Sequence, residues 1–171
     1  QPFSNAMLLT MSGYLTGGGG IPGWTAALTA SLHVLVCYSV MTGTRKDEWS
    51  KDGPKDTDFT RRSNFQWMDG DREIPHTPEN IRALPANAFL RGQAAPSKCD
   101  RYLQTWGARL QWFQRNDANP LNFASAWRRW ELSYPCPLDE RTEWVAFSPT
   151  GSAAPFSPSA ADKHLSTLMI I

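Results

Sequence analysis

The sequence predicts a mainly α chain: a single transmembrane helix, an antiparallel helical hairpin, and extended irregular arms around them. Three observations predict this. First, residues 1 to 44 contain no Asp, Glu, Lys or Arg, so all 17 basic and 16 acidic side chains lie from Arg45 onward. Second, that uncharged block holds one apolar run from Pro22 to Met41, close to the ~20 residues needed to cross a ~30 Å hydrocarbon core. Third, aromatic and apolar residues recur at helical spacing in two later stretches, Tyr102, Trp106, Leu110 and Phe113, then Phe123, Trp127, Trp130 and Tyr134. The organisation that follows is a glycine-rich lead-in (1–20), the span (21–42), a proline- and charge-rich arm (43–96), the hairpin (97–147) and an extended tail (148–171).

The lead-in "YLTGGGGIPG" lacks the Lys-Ser/Thr of a phosphate loop and the spacing of a dinucleotide fingerprint. In the span, Pro22 suits a first helical turn. Trp24 and Tyr38 stand near its two ends, where amphipathic rings favour the membrane interface. Gly23, Ala27 and Ser31 form a small-residue stripe that lets a neighbouring membrane helix approach. The competing readings are a buried core helix, which has the same all-round apolar composition, and an uncleaved signal sequence, the second opposed by the lack of a positively charged region before the apolar run. In the arm, "HTPENIRAL" signals a short helix, with Thr77 as N-cap and Pro78 in the first turn. The first hairpin helix opens at Ser97 and the second near Asn119 to Asn122, closing at Pro135. The final "LSTLMII" is apolar but too short to span a membrane.

Three cysteines occur, Cys37, Cys99 and Cys136. An antiparallel hairpin sets the start of its first helix beside the end of its second, and so brings Cys99 toward Cys136. A disulfide there would close about 38 residues and contribute about 4 kcal/mol on the chain-entropy argument. The alternative is two free buried thiols, the default in a reducing compartment.

Around these cysteines the residues resemble the subunit VIb family of mitochondrial cytochrome c oxidase, a helical hairpin with a Cys-x9-Cys and Cys-x10-Cys pattern (the CHCH type). Trp127, Arg128 and Arg129, followed by Cys136–Pro137, match its second half, and "KCDRYLQTWGAR" matches its first. Arg109 and Ser125 stand where the family has its inner cysteines. The resemblance covers residues 89 to 147. It implies a disulfide between the retained outer pair, Cys99 and Cys136. It also implies a non-catalytic accessory subunit on the intermembrane-space face, binding neither haem nor copper and packing against core and accessory subunits and membrane lipid. The expected location is the mitochondrial inner membrane, single-pass, with the C-terminal part in the intermembrane space. Arg45 and Lys46 after the span pull the other way, since the positive-inside tendency would place that part in the matrix. Alternative roles are an accessory subunit of another respiratory or photosynthetic complex, and an intermembrane-space assembly factor. The last would need a close cysteine pair, which is not present.

Little else points to chemistry. A net charge of +1 gives no electrostatic footprint for nucleic acid. His33, mid-span, is a candidate for function by its position; it reads as a neutral imidazole bonded to Thr29 or to a neighbouring helix, part of the packing set. His76 and His164 stand alone and make no zinc spacing with the cysteines. No catalytic triad order or paired-carboxylate motif is visible, so the reading assigns no catalytic residue, metal or cofactor. Trp127, Arg128, Arg129 and Trp130 are the partner-contact candidates, a Trp/Arg cluster of the kind that anchors interfaces. Cys37 reads as an ordinary buried thiol.

Overall fold

A computed structural model of the chain describes residues 4–17, 20–43, 49–50, 59–93, 95 and 109–170. Strand pairing organises the region where the sequence predicts an arm and a helix. Strands β1 (Phe65–Asp69), β2 (Arg72–Ile74), β3 (Phe89–Gln93) and β4 (Leu110–Gln114) form one antiparallel sheet in the order β2-β1-β3-β4. Gly70, at φ +59°, turns β1 into β2 and sets Asp69 opposite Arg72; a side chain would be strained in that left-handed conformation. Successive strand residues point to opposite faces. Phe65, Trp67, Leu90 and Phe113 are therefore buried, while Phe89, Leu110 and Trp112 stand exposed. Gly92 belongs to the buried face: a Cβ there would meet the Phe113 ring at 3.0 Å and the Phe65 ring at 3.1 Å.

Five α-helices accompany the sheet among the described residues: α1 (Asn5–Thr16), α2 (Ala26–Thr42), α3 (Pro78–Arg82), α4 (Phe123–Ser133) and α5 (Pro158–Ile170). Ser4 caps α1 by accepting from the Met7 amide. Thr25 caps α2 in the same way through Leu28, and Gly43, left-handed at φ +69°, ends it. Thr77 and Pro78 start α3. Asn122 caps α4 through the Ser125 amide. Ser157 accepts from the Ala160 amide at the start of α5.

The core is aromatic. Tyr38 of α2 packs on Phe65, Phe113, Phe123 and Phe147, with ring centroids 4.9 to 6.4 Å apart. Phe65 lies 4.5 Å from Trp127 of α4. Edge-to-face and tilted pairs at these distances add to the area that they bury.

The membrane-spanning expectation is corrected. Among the described residues no helix is long and apolar enough to cross a membrane. The turn at Pro22–Gly23, with Gly23 at φ +81°, delays the helix start, and α2 has 17 residues, about 25 Å of rise. Its residues Ser31 to Tyr38 are buried without interruption by the chain itself. α2 is the central core helix, so the single-pass topology loses its span.

The mainly α, disulfide-linked hairpin is corrected as well. Its second helix exists as α4, but Leu110–Gln114, expected in the first helix, is strand β4. Leu110 and Phe113 fit helical spacing, yet in the strand they fall on opposite faces, one exposed and one buried. Cys136 is a free, buried thiol, so it forms no bridge; Cys99 and the rest of 96–108 lie outside the described residues. The expected arm contains β1, β2, α3 and β3, and the expected extended tail is largely α5.

Candidate functional site

Among the described residues, two buried polar clusters assemble chemically capable groups. The larger centres on Glu131, which α4 projects into the core among Trp127 and Trp130. Its carboxylate accepts three hydrogen bonds: from Trp67 Nε1 of β1 at 2.8 Å, from His76 Nδ1 at 2.7 Å, and from Arg141 Nη1 at 2.8 Å. His76 Nε2, left as an acceptor, receives the Trp67 amide at 3.4 Å and lies 3.4 Å from Arg141 Nη2. Arg141 Nη2 also donates to the carbonyls of Arg62 and Phe65. Glu131 and His76 are sealed from solvent. Burial alone would raise the Glu131 pKa; its interaction with His76, then the charges of Arg141 and Arg62, outweigh it and hold the carboxyl well below its usual range.

Arg62 completes this cluster. Its guanidinium carbon sits 4.9 Å from the Trp130 ring and 5.3 Å from the Trp127 ring, a cation–π arrangement. Nη2 donates to the Tyr134 carbonyl at 3.2 Å, while Nε and Nη1 find no partner. Burial lowers its pKa to about 10, with Glu131 and Cys136 opposing, so it stays cationic at neutral pH. Cys136 is close enough to feel both arginines. Burial pushes its pKa up, the largest effect, and the charges of Arg62 and Arg141 pull it partly back.

The second cluster joins α1, α2 and the loop before α4. His33 Nε2 lies 3.1 Å from Ser12 Oγ, 3.2 Å from the Pro120 carbonyl and 3.7 Å from Cys37 Sγ. Ser12 and Cys37 also donate to that carbonyl. Burial, then the charge of Arg129, lowers the His33 pKa to about 4. Burial raises Cys37 to about 12, against Arg129. A hydroxyl or thiol beside an imidazole is the material of a nucleophilic site. Here Ser12 is 1% exposed, Cys37 0%, and the thiol is protonated at neutral pH. The cluster ties three segments together through one imidazole.

The predicted site residues fall into new roles. Trp127 and Trp130, expected to face a partner, are core residues, because α4 turns its aromatic stripe toward the sheet and α2. Trp130 Nε1 donates to the Ala146 carbonyl. Arg128 holds α3 by donating to the carbonyls of Ile81 and Arg82, and Arg129 is exposed. The small-residue stripe is split: Gly23 precedes α2 in an exposed turn, Ala27 is half-buried, and Ser31 is buried with its hydroxyl unpartnered. His33 bonds across to α1 and Pro120, while Thr29 donates to the Thr25 carbonyl. Sequence reasoning missed Glu131, Arg141 and Arg62 and left His76 isolated. The available signal was a carboxylate set inside an aromatic helical stripe, which requires a buried cation.

Among the described residues no three His, Cys, Asp or Glu side chains are placed to hold a metal ion. Compared with protein-family models, curated proteins and solved structures, the chain matches none.

Proposed function

We propose that the chain is an accessory subunit of a larger assembly, contributing contacts rather than chemistry. One observation carries this reading. Among the described residues both clusters of chemically capable groups are enclosed in the core, whereas large apolar side chains face outward, among them those on the outer face of β3–β4. There Trp112 is 52% exposed and Leu110 48%, beside Phe89 at 41%. Exposed aromatic and aliphatic side chains grouped on one face mark contact surfaces. β4 pairs only with β3 among the described strands, and an open strand edge is a second invitation to a partner.

The sequence resemblance supplies the assembly to test first: mitochondrial cytochrome c oxidase. With the hairpin and disulfide corrected, that identity rests on the local match at Trp127–Arg129 and Cys136–Pro137. The test is a tagged full chain expressed in its own organism, with membranes solubilised in digitonin and separated on native gels stained for oxidase activity. Co-migration of tag and activity is expected, with loss of co-migration in a Leu110→Ser/Trp112→Ser variant that still folds. Migration with a different respiratory or photosynthetic complex would replace the oxidase and keep the accessory role. Migration as a free 19.1 kDa chain would refute both.

A further inference from the structure

We propose that Arg128 and Arg129, on the outward strip of α4, dock a carboxylate-bearing segment of a partner polypeptide. The starting point is where the charges sit. The chain carries a net charge of only +1, yet its charges are not balanced locally. Arg128 feels the charges of Arg115 and Arg129, and the carboxylate that it feels is Asp117. Arg115 takes that carboxylate for itself. Its Nε donates to Asp117 Oδ1 at 3.1 Å and its Nη2 to Oδ2, a bidentate pair. Arg115 Nη1 donates to the carbonyls of Leu84 and Pro85. On α3, Glu79 faces Arg82 at 3.9 Å. Two positive charges, Arg128 and Arg129, are left without a carboxylate partner among the described residues.

Both are ready for an anion, in different ways. Arg128 is already held in place: Nε donates to the Ile81 carbonyl and Nη2 to the Arg82 carbonyl, both at 2.9 Å. A guanidinium fixed in this way loses little freedom when its remaining N–H groups bind. Burial first, then the charge of Arg115 and after it that of Arg129, lower its pKa against Asp117, as expected for a cation short of an anion. Arg129 is exposed and makes no hydrogen bond to a described residue. Its charge reaches His33 and Cys37 of α2, so it stands beside the layer built from the first 44 residues. That layer contains no acid and cannot neutralise it.

The size of the strip gives the chemistry of the occupant. From Asn122 to Glu131 every residue is buried except Arg128, which is half-buried, and Arg129; the half-buried Leu132 and the exposed Ser133 continue the open strip. A phospholipid surface is recognised by clusters of ~4–8 cations, and a nucleic acid by a basic track along its backbone. Two uncompensated guanidinium groups beside a leucine are too few for either. They match one or two carboxylates on a polypeptide, which arginine binds in a fork geometry. Charge complementarity of this kind sets encounter rate and register at a protein interface.

This inference rests on the accessory-subunit reading and gives the chemistry of one partner contact. The test titrates the full chain into fluorescein-labelled hexaglutamate at low ionic strength and neutral pH and reads anisotropy. Binding is expected, with none to labelled hexaglutamine, and it should weaken steeply as salt screens the contact. Arg129→Glu should weaken it at least tenfold at an unchanged thermal midpoint, because the native side chain is exposed. Arg72→Glu makes the same change in net charge at a 79% exposed side chain of β2 and should leave binding within twofold. On addition of hexaglutamate, nitrogen NMR should show the Arg128 and Arg129 side-chain N–H signals moving and the Arg72 signal still. Absence of binding, equal loss in the two variants, or Arg129-dependent binding to vesicles of phosphatidylcholine and phosphatidylglycerol in place of the peptide overturns the proposal. Native gels separate its failure from that of the accessory reading. If the parent chain co-migrates with an assembly and Arg129→Glu does so equally under a salt wash, the arginine contact is refuted and the accessory role stands. If the parent chain co-migrates with nothing, the accessory role has failed, while the peptide titration still decides the arginine contact.

Discussion

Replacing Glu131 by Gln tests whether the buried cluster holds the fold together. The carboxylate accepts from Trp67, His76 and Arg141, and its charge faces two buried guanidinium groups, Arg141 and Arg62. Glutamine keeps the shape and one acceptor oxygen but turns an NH₂ group toward donors. Arg141 and Arg62 then stay cationic in the core with no counter-charge from this position. Removing one partner of a buried ion pair costs about 3–5 kcal/mol, a large share of the ~5–15 kcal/mol that stabilises a typical domain. With a urea slope of about 2 kcal/mol per M, the unfolding midpoint should fall by roughly 1.5–2.5 M at unchanged slope. The assay is urea titration followed by far-ultraviolet circular dichroism. The exposed Glu143→Gln is the control and should move the midpoint little. A Glu131→Gln midpoint within about 0.5 M of the parent would refute the reasoning, because the cluster would then tolerate two uncompensated cations.

Three further outcomes follow from the packing. His33 is lowered from 6.5 to about 4, so the unfolded chain binds the extra proton, and stability is complete above about pH 6.5 and drains as pH falls toward 4. Between pH 7 and pH 5, above most carboxylate titration, this loss is about 2 kcal/mol; it should vanish in His33→Gln, and an equal slope in both proteins refutes it. Gly151→Ala puts a Cβ 2.2 Å from Tyr134 Cδ1 at φ +72°, so it should cost about 2–4 kcal/mol from strain and overpacking together, read as a fall in Tm; a neutral change would mean that the ring moves freely. Cys37 and Cys136 are buried and free with raised pKa values, so iodoacetamide should label neither in the native chain and both in urea; non-reducing peptide mass spectrometry should find no Cys99–Cys136 pair, and finding one would overturn the free-thiol assignment.

Local signals in this sequence were readable, and long-range ones were not. Thr77 and Pro78 opened α3 where the capping chemistry said, and Phe123 to Tyr134 followed by Pro135 marked α4. The sheet was missed because its strands are short and mixed in polarity. "FLRGQ" and "LQWFQ" become strands by pairing with each other across residues 94 to 109, and "FLRGQ" also with β1, and that pairing energy is not written in either segment alone. The buried cluster was missed for the same reason: Arg62, His76, Glu131 and Arg141 come from four separated segments. The disulfide expectation failed at its premise. It required Cys99 and Cys136 at the open end of two antiparallel helices, and the residues that were to continue the first helix pair with β3 instead.

The uncharged first 44 residues show why composition alone misassigned the membrane. An all-round apolar helix is equally at home in lipid or in a protein core, and α2 takes the second course, with Ser31 to Tyr38 enclosed by sheet, α4 and α1. That accounts for the missing charges of α2 and not for those of α1. Only one side of α1 is buried, yet its other side is as free of charge as the core helix, with its threonine hydroxyls bonded to carbonyls of the same helix. A helix face destined for water gains solubility from Lys or Glu at no cost to packing. The exposed side of α1 thus fits the contact role proposed for the chain, as the outer face of β3–β4 does.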